Sequence, residues 1–472
     1  MPARLHPSSL AWLPAIVQRP RYDRAALTSG IVHLGLGAFV RGHLAVFNDD
    51  ALDAGGGPDW GIAGVSLRAS ETRDALAPQQ GLYTLALRDG AAERLRVIGC
   101  VREMLVAPES LDAVVERIAH AATRIVSLTV TDKAYPSAVP GSAVALIVQG
   151  LALRCSRALA PITLMSLDNL PANGGVLRGK VLAAASGDAA LADWIASRCT
   201  FPCSMVDRIV PRTTPADRAP IASALGVHDA WPVVAEPYLD WVLEDRFAAG
   251  RPAWTGVRYV NSEADVAAWE RLKLRMVNGA HSALAYLAVV AGWPTVDAAM
   301  AQPGLRAFLD AMLAHEVEPT LSGVAVPAGY RAALLNRFAN PALSHRTAQI
   351  AMDGSQKLPQ RLLATVRERL AAGAGIRQLA LGVAAWLHFL RGRDEAGQGY
   401  AIDDPLAPAL QALHAAGESI GNAHARAEHF TRFAPVFGDL AGEPRLVEAL
   451  APALQDLRER GVAATLAHTL AY

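Results

Sequence analysis

The sequence predicts an α/β N-terminal domain with a mainly parallel sheet, followed by a mostly α-helical C-terminal domain. Two observations carry this prediction. Short apolar runs rich in β-branched residues alternate with helical stretches up to about residue 262, a pattern typical of parallel sheets with crossover helices. From residue 263 onwards nearly every segment has helical periodicity, with prolines at helix starts and glycines near helix ends. We therefore expect two domains, 1–262 and 263–472.

The composition is that of a well-packed globular protein. The 472 residues are 52% hydrophobic and 19% charged, and 44 Lys+Arg balance 44 Asp+Glu. A chain without positive charge in excess is not expected to bind nucleic acid or an anionic membrane, and no apolar run reaches the roughly 20 residues that a membrane span needs. The four cysteines form neither a disulfide framework nor a metal-binding pattern, which predicts a cytoplasmic protein without a bound metal.

The first element of the predicted sheet is a strand that runs into a glycine turn. Residues 31–37 read Ile-Val-His-Leu-Gly-Leu-Gly, and a helix is expected over 38–52. Gly35 and Gly37 would let the backbone approach a pyrophosphate at the helix N-terminus, as in the Rossmann-type dinucleotide-binding fold. Val40 stands where the full motif has its third glycine, so the stretch also fits an ordinary tight turn.

Polar residues follow the next predicted strands, which span 60–67, 125–130 and 162–167. In parallel sheets, ligands bind beyond the C-terminal strand ends. These positions therefore predict cofactor or substrate contacts. They are Arg68 and Glu71 after the second strand, Lys133 after the third, and Asp168 and Asn169 after the fourth.

The cofactor choice stays open at this stage. An acidic residue after the second strand normally binds the NAD ribose, whereas an arginine suits the phosphate of NADP. Arg68 stands at that place and Glu71 is close by, so both NAD and NADP are compatible with the sequence.

A lysine, an asparagine and a histidine open a long apolar helix in the second domain. Residues 273–281 read Lys-Leu-Arg-Met-Val-Asn-Gly-Ala-His. On an α-helix with about 100° per residue, Asn278 lies about 140° and His281 about 80° around the axis from Lys273. All three can face one cavity and form an acid/base site for a carbonyl or a hydroxyl. Taken alone, the stretch also fits a surface lysine, a capping asparagine and a histidine at the core edge.

Six motifs follow one another from about residue 30 to beyond residue 340. They read Gly35-x-Gly37-x-Phe39-x-Arg41-x-His43; Thr131-Asp-Lys-Ala-Tyr135; Ser166-x-Asp168-Asn169-Leu-Pro-x-Asn173-Gly; Val206-Asp207-Arg208-Ile209-x-Pro211; Lys273-Leu-Arg-x-x-Asn278-x-x-His281; and His345-Arg-Thr-x-Gln349-Ile-Ala-Met-Asp-Gly-Ser-Gln-Lys357-Leu-Pro-Gln-Arg. In this order they resemble the polyol-specific long-chain dehydrogenases, also called the mannitol dehydrogenase family, and the resemblance runs from about residue 30 to beyond residue 400. For Asp207 and Arg208, a surface ion pair is the competing interpretation.

The resemblance implies zinc-independent NAD(P) chemistry and a role for each matching residue. Lys273 is implied to be the catalytic acid/base, Asn169 and Asn278 to hold the substrate oxygen, and His281 to orient a neighbouring hydroxyl. The other implied contacts are with the substrate, through Asp207, Gln349, Lys357 and Arg346, and with the cofactor, through Gly35, Gly37, Phe39, Arg41, Arg68, Glu71, Lys133 and Asp168.

The chemistry expected is reversible oxidation of a polyol of the mannitol or arabinitol type to its 2-ketose. A lysine can accept the hydroxyl proton only if its pKa falls from about 10.4 towards neutrality. A hexuronate-branch activity, D-mannonate/fructuronate oxidoreductase, is the alternative, with Arg346, Lys357 or Arg361 on the carboxylate. A catalytically inactive dinucleotide-binding sensor is the third reading, although such a protein is expected to have lost the lysine or the amides. The expected partner is a small sugar alcohol or sugar acid, and the protein a monomer or dimer.

Overall fold

The computed structural model describes residues 3–130, 139, 141–321, 323 and 326–470. The chain forms two compact units, Met1–Trp269 and Glu270–Tyr472. The domain boundary expected from the sequence, between residues 262 and 263, falls at the first residue of helix Glu263–Leu272.

The first unit is built on a five-stranded sheet in which every pair of neighbours is parallel. In sheet order the strands are β5 Val101–Val106, β2 Gly61–Ser66, β1 Ser29–Leu34, β6 Ile125–Leu128 and β7 Thr163–Ser166. The chain leaves β1 for β2 on one side and later returns to β6 on the other side, so β1 stands at the point where the strand order reverses. Ligands of open parallel sheets bind at such a point, and the predicted mainly parallel sheet is confirmed.

Alternate side chains of the central strand enter two separate cores. Ile31 of β1 packs with Ile62 and Ile125 on one face of the sheet, while Val32 and Leu34 belong to a different cluster on the other face. Strands buried on both faces are near-continuous apolar runs, which is why the sequence pattern located β1, β2, β6 and β7. The edge strand β5 is only partly buried between its two ends and was not predicted.

The described part of this unit also contains two three-stranded sheets and eight α-helices, which are followed by a ninth. The sheets have the orders β11-β10-β8 and β4-β3-β9. The further strands are β3 Tyr83–Asp89, β4 Ala92–Ile98, β8 Ser204–Asp207, β9 Val233–Ala235, β10 Asp240–Glu244 and β11 Arg258–Val260. The helices are α1 Ala38–Gly42, α2 Leu44–Asp53, α3 Glu71–Leu76, α4 Leu111–Ile118, α5 Ala143–Ser156, α6 Asn173–Ala185, α7 Ala189–Arg198, α8 Pro215–Leu225 and then α9 Glu263–Leu272.

Two further local features of this unit differ from the sequence prediction. The helix expected over 38–52 is divided at His43, whose backbone (φ −129°, ψ −88°) is not helical. The antiparallel hairpin of β3 and β4 was not predicted, because β4 interleaves charged residues with apolar ones and is exposed over its first half.

The described part of the second unit consists of helices joined by turns and loops, with isolated bridges at Thr295–Arg346 and Arg393–Gly399, and confirms the predicted helical character. The helices are α10 Gly279–Val290, α11 Val296–Met300, α12 Leu305–Ala311, α13 Tyr330–Phe338, α14 Thr347–Ala351, α15 Gly354–Leu358, α16 Ala364–Ala371, α17 Arg377–Phe389, α18 Ala407–Glu418, α19 Ala423–Thr431, α20 Ala434–Phe437 and α21 Pro444–Leu470. Helix α21 is kinked at Gly461, whose backbone (φ +77°, ψ 175°) is not helical. Among the residues described, no helix is both long enough and apolar enough to cross a bilayer.

In the described part of this unit, three π-helical segments interrupt the helices, at Lys273–Asn278, Met312–Val317 and Pro359–Leu363. The first lies where the sequence analysis expected α-helical geometry for Lys273, Asn278 and His281. π-Helical turns are rare in proteins and occur frequently at functional sites.

Candidate active site

The glycine turn after β1 contains two glycines with different structural reasons. Gly35 has φ +103°, and a Cβ added there would lie 2.3 Å from the carbonyl oxygen of Thr129. No other residue fits that position without moving the backbone. Gly37 has only the Gly35 carbonyl oxygen near its would-be Cβ, at 3.8 Å. Gly35 therefore makes the turn, and Gly37 leaves open space beside the sheet edge.

Arg41 and Phe39 support the glycine turn from the first helix. The buried Arg41 guanidinium donates from Nε to the Gly37 carbonyl at 3.2 Å and from Nη1 to the Trp231 carbonyl at 2.6 Å. Burial lowers the pKa of Arg41 to about 10. Phe39 is half-buried and stacks on the imidazole of His43, with 5.1 Å between ring centroids. The hydrogen bonds described for Arg41 are thus to the protein backbone, and its guanidinium also lies over the ring of Tyr83, 5.3 Å from the centroid.

Asp168 ties together the ends of two neighbouring strands of the five-stranded sheet. Its Oδ1 accepts from the backbone N–H of Val130 at 2.6 Å, and its Oδ2 accepts from the Ser166 hydroxyl at 3.1 Å. Asn169, the next residue, is exposed. This pair of contacts holds the polar strand ends of β6 and β7 at one edge of the sheet.

Asn173 was quoted as part of a motif, but its structural role was not predicted. Its buried amide donates to the carbonyls of Asp168 at 3.0 Å and Ser204 at 2.8 Å, and its Oδ1 accepts from the N–H of Ser204 at 3.0 Å. It therefore links the Asp168–Asn169 turn to strand β8. An asparagine at a helix start in a polar motif was the available signal.

Asp207 and Arg208 lie at the C-terminal end of β8, the strand to which Asn173 is bonded. Both residues are buried, and Arg208 donates to the carbonyls of Gly42 at 2.7 Å and Glu236 at 3.0 Å. The alternative interpretation as a surface ion pair is therefore wrong.

Three other residues of the first unit, Arg68, Glu71 and Lys133, were predicted to contact the cofactor. Arg68 and Glu71 are both exposed, just after the end of β2, with Glu71 in the first turn of α3. Lys133 lies outside the described residues.

The segment that carries Lys273 and Asn278 is a π-helical turn rather than the α-helix assumed from the sequence. The backbone N–H of Gly279 bonds to the carbonyl of Leu274, five residues earlier. The angles expected from α-helical geometry therefore do not apply within this turn. Lys273, Asn278 and His281 are only 9%, 8% and 9% exposed, which excludes the reading of Lys273 as a surface lysine.

His281 is held in a fixed orientation with one ring nitrogen unused. Its imidazole stacks on Phe338, with ring centroids 4.1 Å apart, and meets His345 edge-on at 5.6 Å. Burial first, and then the nearby His345 and Arg361, hold the pKa of His281 well below its usual value. Among the described residues, neither His281 Nε2 nor Asn278 Nδ2 has a hydrogen-bond partner. Buried polar atoms are normally paired, so these two are suited to a polar ligand.

Two cationic side chains lie near this imidazole. Lys357 donates from Nζ to the carbonyls of Ile350 at 3.3 Å and Met352 at 2.5 Å. Burial, followed by the charge of Arg361, lowers the pKa of Lys357 to about 8. Arg361 donates to the hydroxyl of Ser282 at 3.2 Å and forms no ion pair within the described chain.

Arg346 and Gln349 differ in exposure from the buried Lys273, Asn278 and His281. Both side chains are exposed, at the start of helix α14. The backbone N–H of Gln349 bonds to the Arg346 carbonyl at 3.1 Å, so the structure brings these two residues together at the surface. In the parts of both units that the structure describes, no three His, Cys, Asp or Glu side chains are grouped to hold a metal ion.

Two family models match the chain and together span most of it. The mannitol dehydrogenase Rossmann domain matches residues 29–256, and the mannitol dehydrogenase C-terminal domain matches residues 265–458.

Full-length relatives carry two different activities in their names. A mannitol 2-dehydrogenase of Pyrenophora tritici-repentis is 38% identical over 481 residues, covering 95% of this chain and 83% of the relative. A D-mannonate oxidoreductase of Escherichia coli K12 is 40% identical over 481 residues, covering 94% of this chain and 96% of the relative.

Two solved structures are similar to this chain over nearly its whole length. Pseudomonas fluorescens mannitol 2-dehydrogenase, in a ternary complex with NAD and D-mannitol, has a TM-score of 0.90 at 35% identity and covers 99% of both chains. A D-sorbitol dehydrogenase in substrate-free form has a TM-score of 0.81 at 32% identity, over 99% of this chain and 100% of that one.

Proposed function

This chain belongs to the mannitol dehydrogenase family, and we propose that it interconverts a sugar alcohol and its 2-ketose with NAD. It is an oxidoreductase of secondary alcohols. One observation supports the proposal above the others: Lys273, Asn278 and His281 are buried together in one short segment, with Asn278 Nδ2 and His281 Nε2 lacking partners among the described residues. These side chains suit an alcohol substrate, whose hydroxyl oxygen must lose its proton when the alcohol is oxidised.

The lysine and the amide divide the work at the reacting oxygen. Lys273 takes the hydroxyl proton when the alcohol is oxidised and returns it when the ketone is reduced. Asn278 donates to the same oxygen and stabilises the charge that forms there, without adding a charge of its own. Asn169, a second amide in the family motif, is assigned the same task. NAD, when bound, supplies the hydride acceptor.

The first unit carries features that suit a dinucleotide. The open space at Gly37, the turn made by Gly35 and the reversal of strand order at β1 all favour a pyrophosphate at this edge. Asp168 holds the strand ends beside it. Arg68 and Glu71 are the candidates for the adenosine ribose, which leaves NADP as the alternative cofactor. The proposed contact of Lys133 rests on the family motif alone.

His281 acts as a neutral group towards a neighbouring hydroxyl. Because its pKa is held well below the usual value, the ring stays uncharged at neutral pH, and Nε2 can accept or donate one hydrogen bond according to its tautomer. Asp207 is assigned to the substrate side near the nicotinamide, and Lys357 to the far end of the sugar chain. Gln349 and Arg346, which are exposed, are assigned secondary contacts.

A sugar acid is the second candidate substrate, and one specific observation favours it. Arg361 has no acidic partner among the described residues and lies within electrostatic range of His281 and Lys357. Arg361 is half-buried, and cations drawn out of water are normally paired, so a carboxylate supplied by the substrate would complete this cluster. D-Mannonate-type acids carry such a group at the end of a polyol chain.

A substrate panel tests the proposed function directly. Mannitol, arabinitol, sorbitol, mannonate and altronate are each mixed with NAD and with NADP, and absorbance at 340 nm is followed at alkaline pH. NAD reduction with at least one of these substrates is expected. Absence of turnover with all of them, together with normal NADH binding, would sink the enzymatic proposal and favour an inactive sensor. The assignments to the cytoplasm and to a monomer or dimer stay predictions.

A further inference from the structure

Arg275 lies in the middle of the π-helical turn, between the two residues assigned to the reacting oxygen. Its side chain is 7% exposed, and the family interpretation gives it no role. A buried guanidinium is costly unless its donors are satisfied. Its partners therefore show what the turn depends on.

Arg275 reaches two other segments of the second unit. Nη1 donates to the carbonyl of Thr320 at 2.9 Å and to Oε2 of Glu368 at 2.7 Å, while Nη2 donates to the other carboxylate oxygen of Glu368. A two-pronged arginine–carboxylate pair fixes both distance and orientation. The pKa of Glu368 is lowered, chiefly by these hydrogen bonds, so this carboxylate is charged at neutral pH.

Both partners follow the other π-helical segments. Thr320 ends the short turn that comes directly after Met312–Val317, and Glu368 lies in helix α16, which begins after Pro359–Leu363. At its C-terminal end the turn is confined by backbone, because a Cβ added to Gly279 would lie 2.8 Å from the carbonyl oxygen of Arg361. The π register at 273–278 is therefore held from two directions.

The register matters because it sets how Lys273 and Asn278 stand relative to each other. A π-helical turn is rare, and relaxation to α-helical spacing would rotate one residue against the other. Displacement of a catalytic group by about 1 Å can cost on the order of 100-fold in rate.

We propose that Arg275 and Glu368 are positioning residues, which hold the π-helical turn and thereby orient Lys273 towards the oxygen that Asn278 binds. This inference rests on the proposed function, because it assumes that Lys273 is the acid/base.

We call the Arg275–Glu368 pair the clamp, and three variants of it test the proposal. Arg275→Met removes the pair, Arg275→Lys keeps the charge but loses the two-pronged geometry, and Glu368→Gln keeps the shape but loses the charge. Arg367→Lys is the matched control: Arg367 makes a two-pronged pair with Asp439 from the neighbouring position of α16 and has no described contact with the turn. Lys273→Ala is made in parallel.

The readouts separate positioning from stability. NADH fluorescence titration counts the folded sites, and kcat is expressed per NADH site at several pH values. For Arg275→Met we expect kcat to fall between about 10- and 100-fold with unchanged NADH affinity. The pH dependence of kcat should shift in all three clamp variants, with smaller losses of kcat in Arg275→Lys and Glu368→Gln. Arg367→Lys should keep the wild-type values.

The outcomes are distinguishable. Wild-type kcat per NADH site and an unshifted pH profile in Arg275→Lys and Glu368→Gln would overturn the positioning role, even if Arg275→Met fails to fold. If Lys273→Ala also keeps near-normal turnover, the acid/base assignment falls and takes this inference with it. An inactive Lys273→Ala beside unaffected clamp variants overturns the clamp alone.

Discussion

The imidazole of His281 lies face to face with the ring of Phe338, with centroids 4.1 Å apart and planes inclined by 6°. The two residues are on different helices, α10 and α13. The stack leaves Nε2 as a buried atom without a partner among the described residues. Phe338 thus fixes the direction in which His281 presents its free nitrogen.

Removing this stack should weaken substrate binding without affecting the cofactor. For Phe338→Leu we expect KM for the sugar to rise about fivefold, since such ring pairs contribute on the order of 1 kcal/mol. Phe430→Leu is the control, because Phe430 stacks on His414 elsewhere in the same unit, at 6.0 Å. Equal KM changes in both variants would show that general loosening, not the orientation of His281, is responsible.

Loss of Lys273 should abolish turnover while sparing NADH binding. General acid–base catalysis contributes roughly 100- to 10,000-fold to the rate, so kcat of Lys273→Ala should fall by at least about 100-fold. Lys180→Ala, which removes an exposed lysine of the first unit, should behave as wild type. Turnover of Lys273→Ala within tenfold of wild type would remove Lys273 from the role of acid/base.

Binding of a sugar acid should weaken as the pH rises through about 8. The pKa of Lys357 is lowered to about 8, so its charge is present below that pH and is lost above it. KM for mannonate should therefore increase above pH 8, whereas KM for mannitol should not follow this titration. In Lys357→Arg, whose charge persists to higher pH, the increase should disappear. A mannonate KM that is independent of pH in the wild type would exclude Lys357 from carboxylate binding.

The two glycines of the first turn should separate stability from cofactor binding. Gly35→Ala meets the Thr129 carbonyl and a positive φ, so it should destabilise the first unit by about 1–3 kcal/mol or more. A thermal melt of the purified variant measures this loss.

Gly37→Ala is the matched partner of that variant. Its added methyl has room in the fold, so the melting temperature should stay near the wild-type value. NADH affinity should drop severalfold, because the methyl would occupy the space proposed for the pyrophosphate. Unchanged NADH affinity in Gly37→Ala would place the cofactor elsewhere.

The chemistry of the candidate residues could be predicted from the sequence because it resides in residue type and order. The parallel sheet, the helical second half and the motif around Lys273 are all local patterns: apolar runs, periodicity and short spacings. The hairpin β3–β4 escaped prediction because its pairing joins segments whose own pattern is ambiguous.

Tertiary structure decided how those residues are presented. Whether residues 273–278 form an α-helical or a π-helical turn depends on one hydrogen-bond register, and the clamp that holds it comes from Glu368, 93 residues away along the chain. The stack of His281 on Phe338 and the absence of an acidic partner for Arg361 within the described chain are likewise properties of distant contacts. Local propensity carries no information about such neighbours, because the free energies that select them arise only when the helices pack.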